Sequence, residues 1–157
     1  WMAVAWMLRG RPSLLGVISG AVGGLVVITP ASGFVGPVAA LIMGLVGGVC
    51  CFWGAVVLKR WAGWDDSLDA FGVHGVGGIV GAILTGVFAT SAVTGTDMNP
   101  VMTQVGIQAA SVLATIVYAG AVSWILLKIV DKLIGLRVTS DEERIGLDLS
   151  LHGERIE

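Results

Sequence analysis

Long apolar runs alternate with short polar breaks along this chain, and the breaks mark out its elements. An apolar opening, Trp1-Met2-Ala3-Val4-Ala5-Trp6-Met7-Leu8, gives way to a basic turn, Arg9-Gly10-Arg11-Pro12. The next run predicts a helix over about 13–29, with Pro12 where proline suits a helix start and Pro30 closing it. An uncharged connector, 31–37, leads to a second helix over about 38–58 that stops at Lys59-Arg60. Trp61-Ala62-Gly63-Trp64 then joins it to an Asp-rich start and a third helix over about 66–89. The loop 90–102 holds one charge, Asp97, and a fourth helix is predicted over about 103–130, followed by Asp131-Lys132 and a polar tail to Glu157. Helices of roughly 20 residues, at a rise of about 1.5 Å per residue, span a hydrocarbon layer of roughly 30 Å. Trp1 to Leu8 reads as the end of a longer helix, and the chain as a fragment of a longer protein.

Composition turns that pattern into a class. The chain has 157 residues, 55% hydrophobic and 13% charged, with a mean hydropathy of +0.90; soluble domains carry about 25% charged residues. Only helices and closed barrels satisfy their backbone in lipid, and the alternating segments of a barrel are missing from the sequence. An all-α transmembrane fold follows. A net charge of −2 gives no reason to expect nucleic acid. Cys50 and Cys51, adjacent within an apolar run, read as small packing residues rather than a disulfide or a metal site.

The positive charges set the topology. Arg9, Arg11, Lys59, Arg60, Lys128, Lys132, Arg137, Arg144 and Arg155 are all nine basic residues, and four crossings place every one on the same side. The positive-inside rule makes that side, and the tail, cytoplasmic.

One ionisable group interrupts the uncharged stretch 70–89: His74. A titratable side chain at membrane depth is costly and faces a bundle interior or a pathway. Two roles stand open for it. An imidazole can join helices by a hydrogen bond, or it can line a path and pass a proton, since imidazoles titrate near pH 6.5. Asp66 and Asp69 are expected at the N-cap and first turn of the third helix, where carboxylates suit the helix dipole; the alternative is that one shapes the inner mouth of a path. A serine such as Ser19 in a membrane helix commonly bonds its own backbone. Glycines spaced by four (Gly16, Gly20 and Gly24; Gly44 and Gly48; Gly77 and Gly81) predict flat seams for close helix packing.

At Asp65-Asp66-Ser67-Leu68-Asp69-Ala70-Phe71-Gly72-Val73-His74-Gly75 the sequence resembles the Amt/Mep/Rh ammonium transporter family, bacterial Amt branch. The resemblance extends over essentially the whole chain: Arg9-Gly10-Arg11-Pro12-Ser13-Leu14-Leu15-Gly16, Ile28-Thr29-Pro30-Ala31-Ser32-Gly33, Phe52-Trp53-Gly54, Leu58-Lys59-Arg60, Gly135-Leu136-Arg137-Val138, Glu143-Arg144-Ile145-Gly146-Leu147-Asp148 and His152-Gly153-Glu154. It implies the last four helices and the end of a fifth from an eleven-helix fold of two inverted repeats, assembled as a homotrimer with a pore in each subunit. It also implies a membrane domain over 1–134, a cytoplasmic tail over 135–157, and a multi-pass place in the cell (inner) membrane.

The resemblance implies an activity too: ammonium loses its proton at a pore entrance, and ammonia passes an apolar section beside twin histidines, of which His74 is the second. Ser19, Val22 and Ala70 are the further path residues implied, with Asp66 at the cytoplasmic end of the histidine helix. Neither enzyme chemistry, a cofactor nor a metal is implied; a membrane-embedded ammonium sensor of the same fold is the alternative. By composition the tail could be a disordered end. The resemblance implies instead that it folds, contacts a neighbouring subunit through residues such as Gly135, Arg137, Arg144, Gly146 and Asp148, and meets a PII-type signalling protein. The ending Arg155-Ile156-Glu157 departs from the family's small residue and tyrosine, which sets regulator docking apart from transport.

Overall fold

The computed structural model describes residues 1–154; Arg155-Ile156-Glu157, and the expectation attached to them, lie outside the described residues. The described chain is helical throughout, with no strand. A short α1, Met2–Arg9, ends on Gly10 at φ 75°. Helix α2, Leu14–Ile28, starts where the Ser13 side chain accepts the Gly16 amide at 3.1 Å, and it tightens into a 3₁₀ turn at Thr29–Ala31 that accommodates Pro30. Helix α3, Pro37–Ala62, opens on proline and closes on Gly63 at φ 67°. Helix α4 is Phe71–Phe88, α5 a single turn at Ser91–Thr94, α6 Val101–Leu133 and α7 Ser140–Ile145.

Four of these helical stretches are long and apolar enough to cross a membrane: Leu14–Ala31, Pro37–Ala62, Phe71–Phe88 and Val101–Leu133. The four expected spans are therefore present, with three corrections at their edges. The second helix runs past Leu58 through Lys59 and Arg60 to Ala62, because Gly63 supplies the left-handed stop further on. The third begins at Phe71 rather than near Asp66, because Asp69 takes φ 55° and breaks the helical path before it. The loop 90–102 holds the one-turn α5, capped by the Thr90 side chain.

The chain forms two compact units, Trp1–Leu113 and Ala114–Glu157, whose boundary falls within α6. In the first, α2, α3 and α4 pack on one another around Val27, Ala31, Met43 and Cys51. Lipid removes most of the hydrophobic drive between such helices, so close backbone approach must supply the contact. Here the glycine seams need correction. A Cβ on Gly77 would stand 3.0 Å from the Cys51 sulfur, and one on Gly48 would stand 2.9 Å from the Trp1 nitrogen, whereas Gly24 and Gly44 face open space. The tightest approach is at the expected Gly81, whose Cβ would stand 2.3 Å from the Val27 carbonyl oxygen, and the spacing missed Gly47 against the Val27 side chain, Gly72 against the Ala55 backbone and Gly86 against the Val105 backbone. Spacing by four picks out a helix face; it does not say which face meets a neighbour. On the side without basic residues, the Thr90 amide donates to the Phe34 carbonyl at 3.0 Å and ties two loops together.

The second unit holds the end of α6, Gly135 at φ 81°, and α7. A capping box starts α7: the Thr139 hydroxyl accepts the Glu142 amide, and the Glu142 carboxylate accepts the Thr139 amide at 2.8 Å. Arg137 Nε donates to Glu143 at 2.6 Å. Gly146 follows at φ 97°, then a π turn, Asp148–His152, whose Ser150 hydroxyl donates to the Gly146 carbonyl at 2.9 Å. The tail thus carries local structure, where its composition had left disorder open.

Candidate functional site

Helix α4 takes its start from Asp66. The carboxylate of this residue accepts the amides of Ala70 at 2.8 Å and Phe71 at 2.9 Å, satisfying donors that a helix leaves open at its N-terminus. Asp66 therefore caps the helix from outside it, in place of the N-cap position expected. Asp69 does not lie in the first turn; its carboxylate forms an ion pair with Lys59 of α3, whose ammonium also donates to the Asp66 carbonyl at 2.8 Å. Trp64 packs edge-on against Phe71, ring centroids 4.8 Å apart.

The first helical turns of α4, Phe71–Gly75, are wound as a π turn, and His74 lies within it. Its side chain is exposed and makes no hydrogen bond among the described residues. It lines an open groove of about 520 Å³ together with Val22, Leu25 and Val26 of α2, Thr29 and Pro30 of the 3₁₀ turn that continues it, and Gly78 of α4. Positions 22, 25, 26 and 29 share one face of α2, and 74 and 78 share one face of α4. None of the seven lining residues carries a fixed charge. The Thr29 hydroxyl is turned back onto its own helix, donating to the Leu25 carbonyl at 2.7 Å. That leaves the Thr29 oxygen as an acceptor only, and His74 as the ionisable group of the lining that can address a solute there.

The other expected path residues divide among separate places. Val22 shares the groove with His74. Ser19 instead lines a smaller cavity of about 90 Å³ with Arg9, Ser13 and Asp69. Ala70 and Asp66 line a third, about 370 Å³, with Trp64, Asp65 and Phe71. Leu25, Val26, Thr29 and Gly78 were not singled out from sequence, although helical spacing from Val22 and His74 points to each of them. Nothing in the sequence marks Lys59 as the residue that holds the Asp66–Asp69 turn. In the second unit, Gly135, Arg137, Arg144, Gly146 and Asp148 all fall within the locally ordered tail. Among the described residues no cluster of His, Cys, Asp and Glu could hold a metal.

Four apolar helices of membrane-spanning length, one of them presenting an imidazole to an uncharged groove, define a polytopic α-helical membrane protein. The chain belongs to the Ammonium Transporter Family, whose family model matches residues 1–156. It is 45% identical over 99% of its length to an ammonium transporter of Bacillus subtilis and 42% identical over 98% to the ammonium transporter Amt1 of Archaeoglobus fulgidus, covering 39% of each. The crystal structure of Candida albicans Mep2 superposes with a TM-score of 0.81 at 37% identity, over 90% of this chain and 33% of that one. That of Saccharomyces cerevisiae Mep2 gives 0.80 at 35% identity, over 90% and 34%. The chain thus spans about two fifths of the length of the curated relatives it matches.

Proposed function

We propose that this chain forms part of an ammonium-conducting membrane protein in which ammonium sheds its proton and ammonia passes along the groove that His74 lines. The observation that carries the reading is an exposed imidazole on an otherwise uncharged, largely apolar wall built by α2 and α4. A cation on such a wall loses its hydration and gains no counter-charge, a cost of several kcal/mol or more. Neutral ammonia avoids that cost and can exchange a hydrogen bond with the ring. Potassium has no proton to lose, so the same wall rejects it. Val22 then acts as part of the apolar lining. Ser19, in the cavity with Arg9 and Asp69, and Ala70, beside Asp66, belong to the cytoplasmic approach to the groove.

In this reading the chain supplies one wall, and the remainder of a longer subunit supplies the facing wall and a second histidine. In the same reading the protein is a homotrimer of the cell's inner membrane with its tail, 135–157, in the cytoplasm, an orientation that the one-sided distribution of basic residues supports. The tail's ordered turns offer Arg144 and Asp148 to a neighbouring subunit and to a PII-type signalling protein. The test is methylammonium uptake into vesicles bearing the full-length protein. His74→Ala should change the rate or the discrimination against potassium; an unchanged profile assigns His74 to helix packing.

A further inference from the structure

The helix that carries His74 and the helix beneath it each contain a π turn, and the two turns face one another. Gly54–Leu58 of α3 is wound this way, as is Phe71–Gly75 of α4. A Cβ on Gly54 would stand 2.9 Å from the Gly72 carbonyl oxygen, and one on Gly72 would stand 2.5 Å from the Ala55 nitrogen. A π turn bonds i to i+5 and so takes one residue more than an α turn; with 3.6 residues per α turn, the extra residue re-aims neighbouring side chains by about 100°. The direction of the His74 ring is therefore set by this winding as well as by its place in the sequence.

Two side chains of α3 hold the winding from either side. At its start, Lys59 bonds the Asp66 carbonyl at 2.8 Å and the Asp69 carboxylate. Asp69 stands at φ 55°, a left-handed backbone that aspartate enters more readily than most non-glycine residues, and the Lys59 ammonium pairs with its carboxylate there. Within the turn, the buried Cys51 thiol donates to the carbonyl of Val73, the residue before His74, at 3.6 Å. Neither Lys59 nor Cys51 lines the groove.

We propose that Lys59 and Cys51 are positioning residues for His74: they keep the π turn wound and so aim the imidazole into the groove beside Val22 and Thr29. The functional consequence rests on the conducting role given to His74 above; the geometric claim does not. The test uses the full-length protein in lipid vesicles, reading the assigned imidazole nitrogen NMR signal of His74 and the ratio of methylammonium to potassium flux. Lys59→Met should move the signal and lower the ratio by about tenfold or more, the scale on which an ångström of misplacement acts at a reacting centre. Lys59→Arg, which keeps charge and donors, should restore both. A signal unmoved by Lys59→Met overturns the proposal, and so does one moved equally by Lys59→Arg. If Lys59→Met does not fold, Cys51→Ala must move the signal while Cys51→Ser, which keeps a donor, must not; any other result overturns it. A moved signal with unchanged flux keeps the positioning claim and removes the conducting role of His74.

Discussion

Replacing Gly72 by alanine adds one methyl group at the place where α4 comes closest to α3. The new Cβ would lie 2.5 Å from both the Ala55 nitrogen and its Cα, and 2.9 Å from the Ala55 Cβ. Carbon contacts settle at about 3.5–4.0 Å, so the helices must part by about 1 Å, and backbone atoms cannot swing aside as a side-chain end can. Overpacking of this kind costs about 1–3 kcal/mol, and a backbone clash puts it near the upper figure. Alanine returns about 1 kcal/mol through its better helix propensity. The net is a loss of about 2 kcal/mol, or about 30-fold in the ratio of folded to unfolded protein. Denaturant-induced unfolding of the full-length protein in detergent measures it. Gly54→Ala meets the same seam from the other side, its Cβ 2.9 Å from the Gly72 carbonyl oxygen and from Val76. One separation of the helices relieves both clashes, so the double variant should lose less than the two single losses added together. Strict additivity within about 0.5 kcal/mol, or a Gly72→Ala protein as stable as its parent, would refute the shared seam.

Two further outcomes follow from the caps. Asp66→Ala strips the acceptor from the Ala70 and Phe71 amides and should cost about 2 kcal/mol, the upper end for a helix cap, because two bonds to a charged group are lost. Amide exchange at Ala70 and Phe71 should quicken, and less so in Asp66→Asn, which keeps one oxygen; equal protection in all three proteins would contradict the cap. In the tail, hydrogen bonds from the Thr139 side chain and backbone hold the Glu142 carboxyl below its ordinary value of 4.5. A lowered value in the folded state means that the stabilisation of α7 is complete above the unfolded value and lost as pH falls through the folded one. Protection of the Glu142 and Gly146 amides should therefore hold at neutral pH and fade below about pH 4.5, a dependence that Glu142→Gln abolishes; protection unchanged down to about pH 3 would argue against the capping box.

Much of the membrane architecture was legible because lipid leaves so few options. An apolar run of the right length must be a helix, and charges must gather where the chain leaves the bilayer, so spans and polar breaks follow from residue type alone. Their ends were less legible. The second helix passes Lys59 because its stop is a left-handed glycine, and the third starts late because Asp69 adopts a left-handed backbone. Aspartate is one of the few non-glycine types that enters this region, but no local pattern announces that this one does, nor that Lys59 of another helix pairs with its carboxylate.

The site divides in the same way. His74 stood out by itself, since an ionisable group amid uncharged residues 70–89 is expensive enough to demand a reason. Its company was not settled by sequence. Val22 shares its groove while Ser19 lies in a different cavity, a distinction that depends on which face of α2 turns toward α4. The same uncertainty left Gly24 and Gly44 in open space, although their spacing matches that of packed glycines.

By itself, the order of residues determined the helical class, the four spans, the side on which positive charge collects and the one histidine that needs explaining. Each of these is a transfer-energy question, answered residue by residue against lipid and water. Which glycines touch, how the turn around His74 is wound, and what holds Asp69 in place were decided by tertiary structure. Those outcomes depend on the relative rotation of neighbouring helices. Among helices apolar on every face, hydrophobicity leaves that rotation open, and close steric fit sets it.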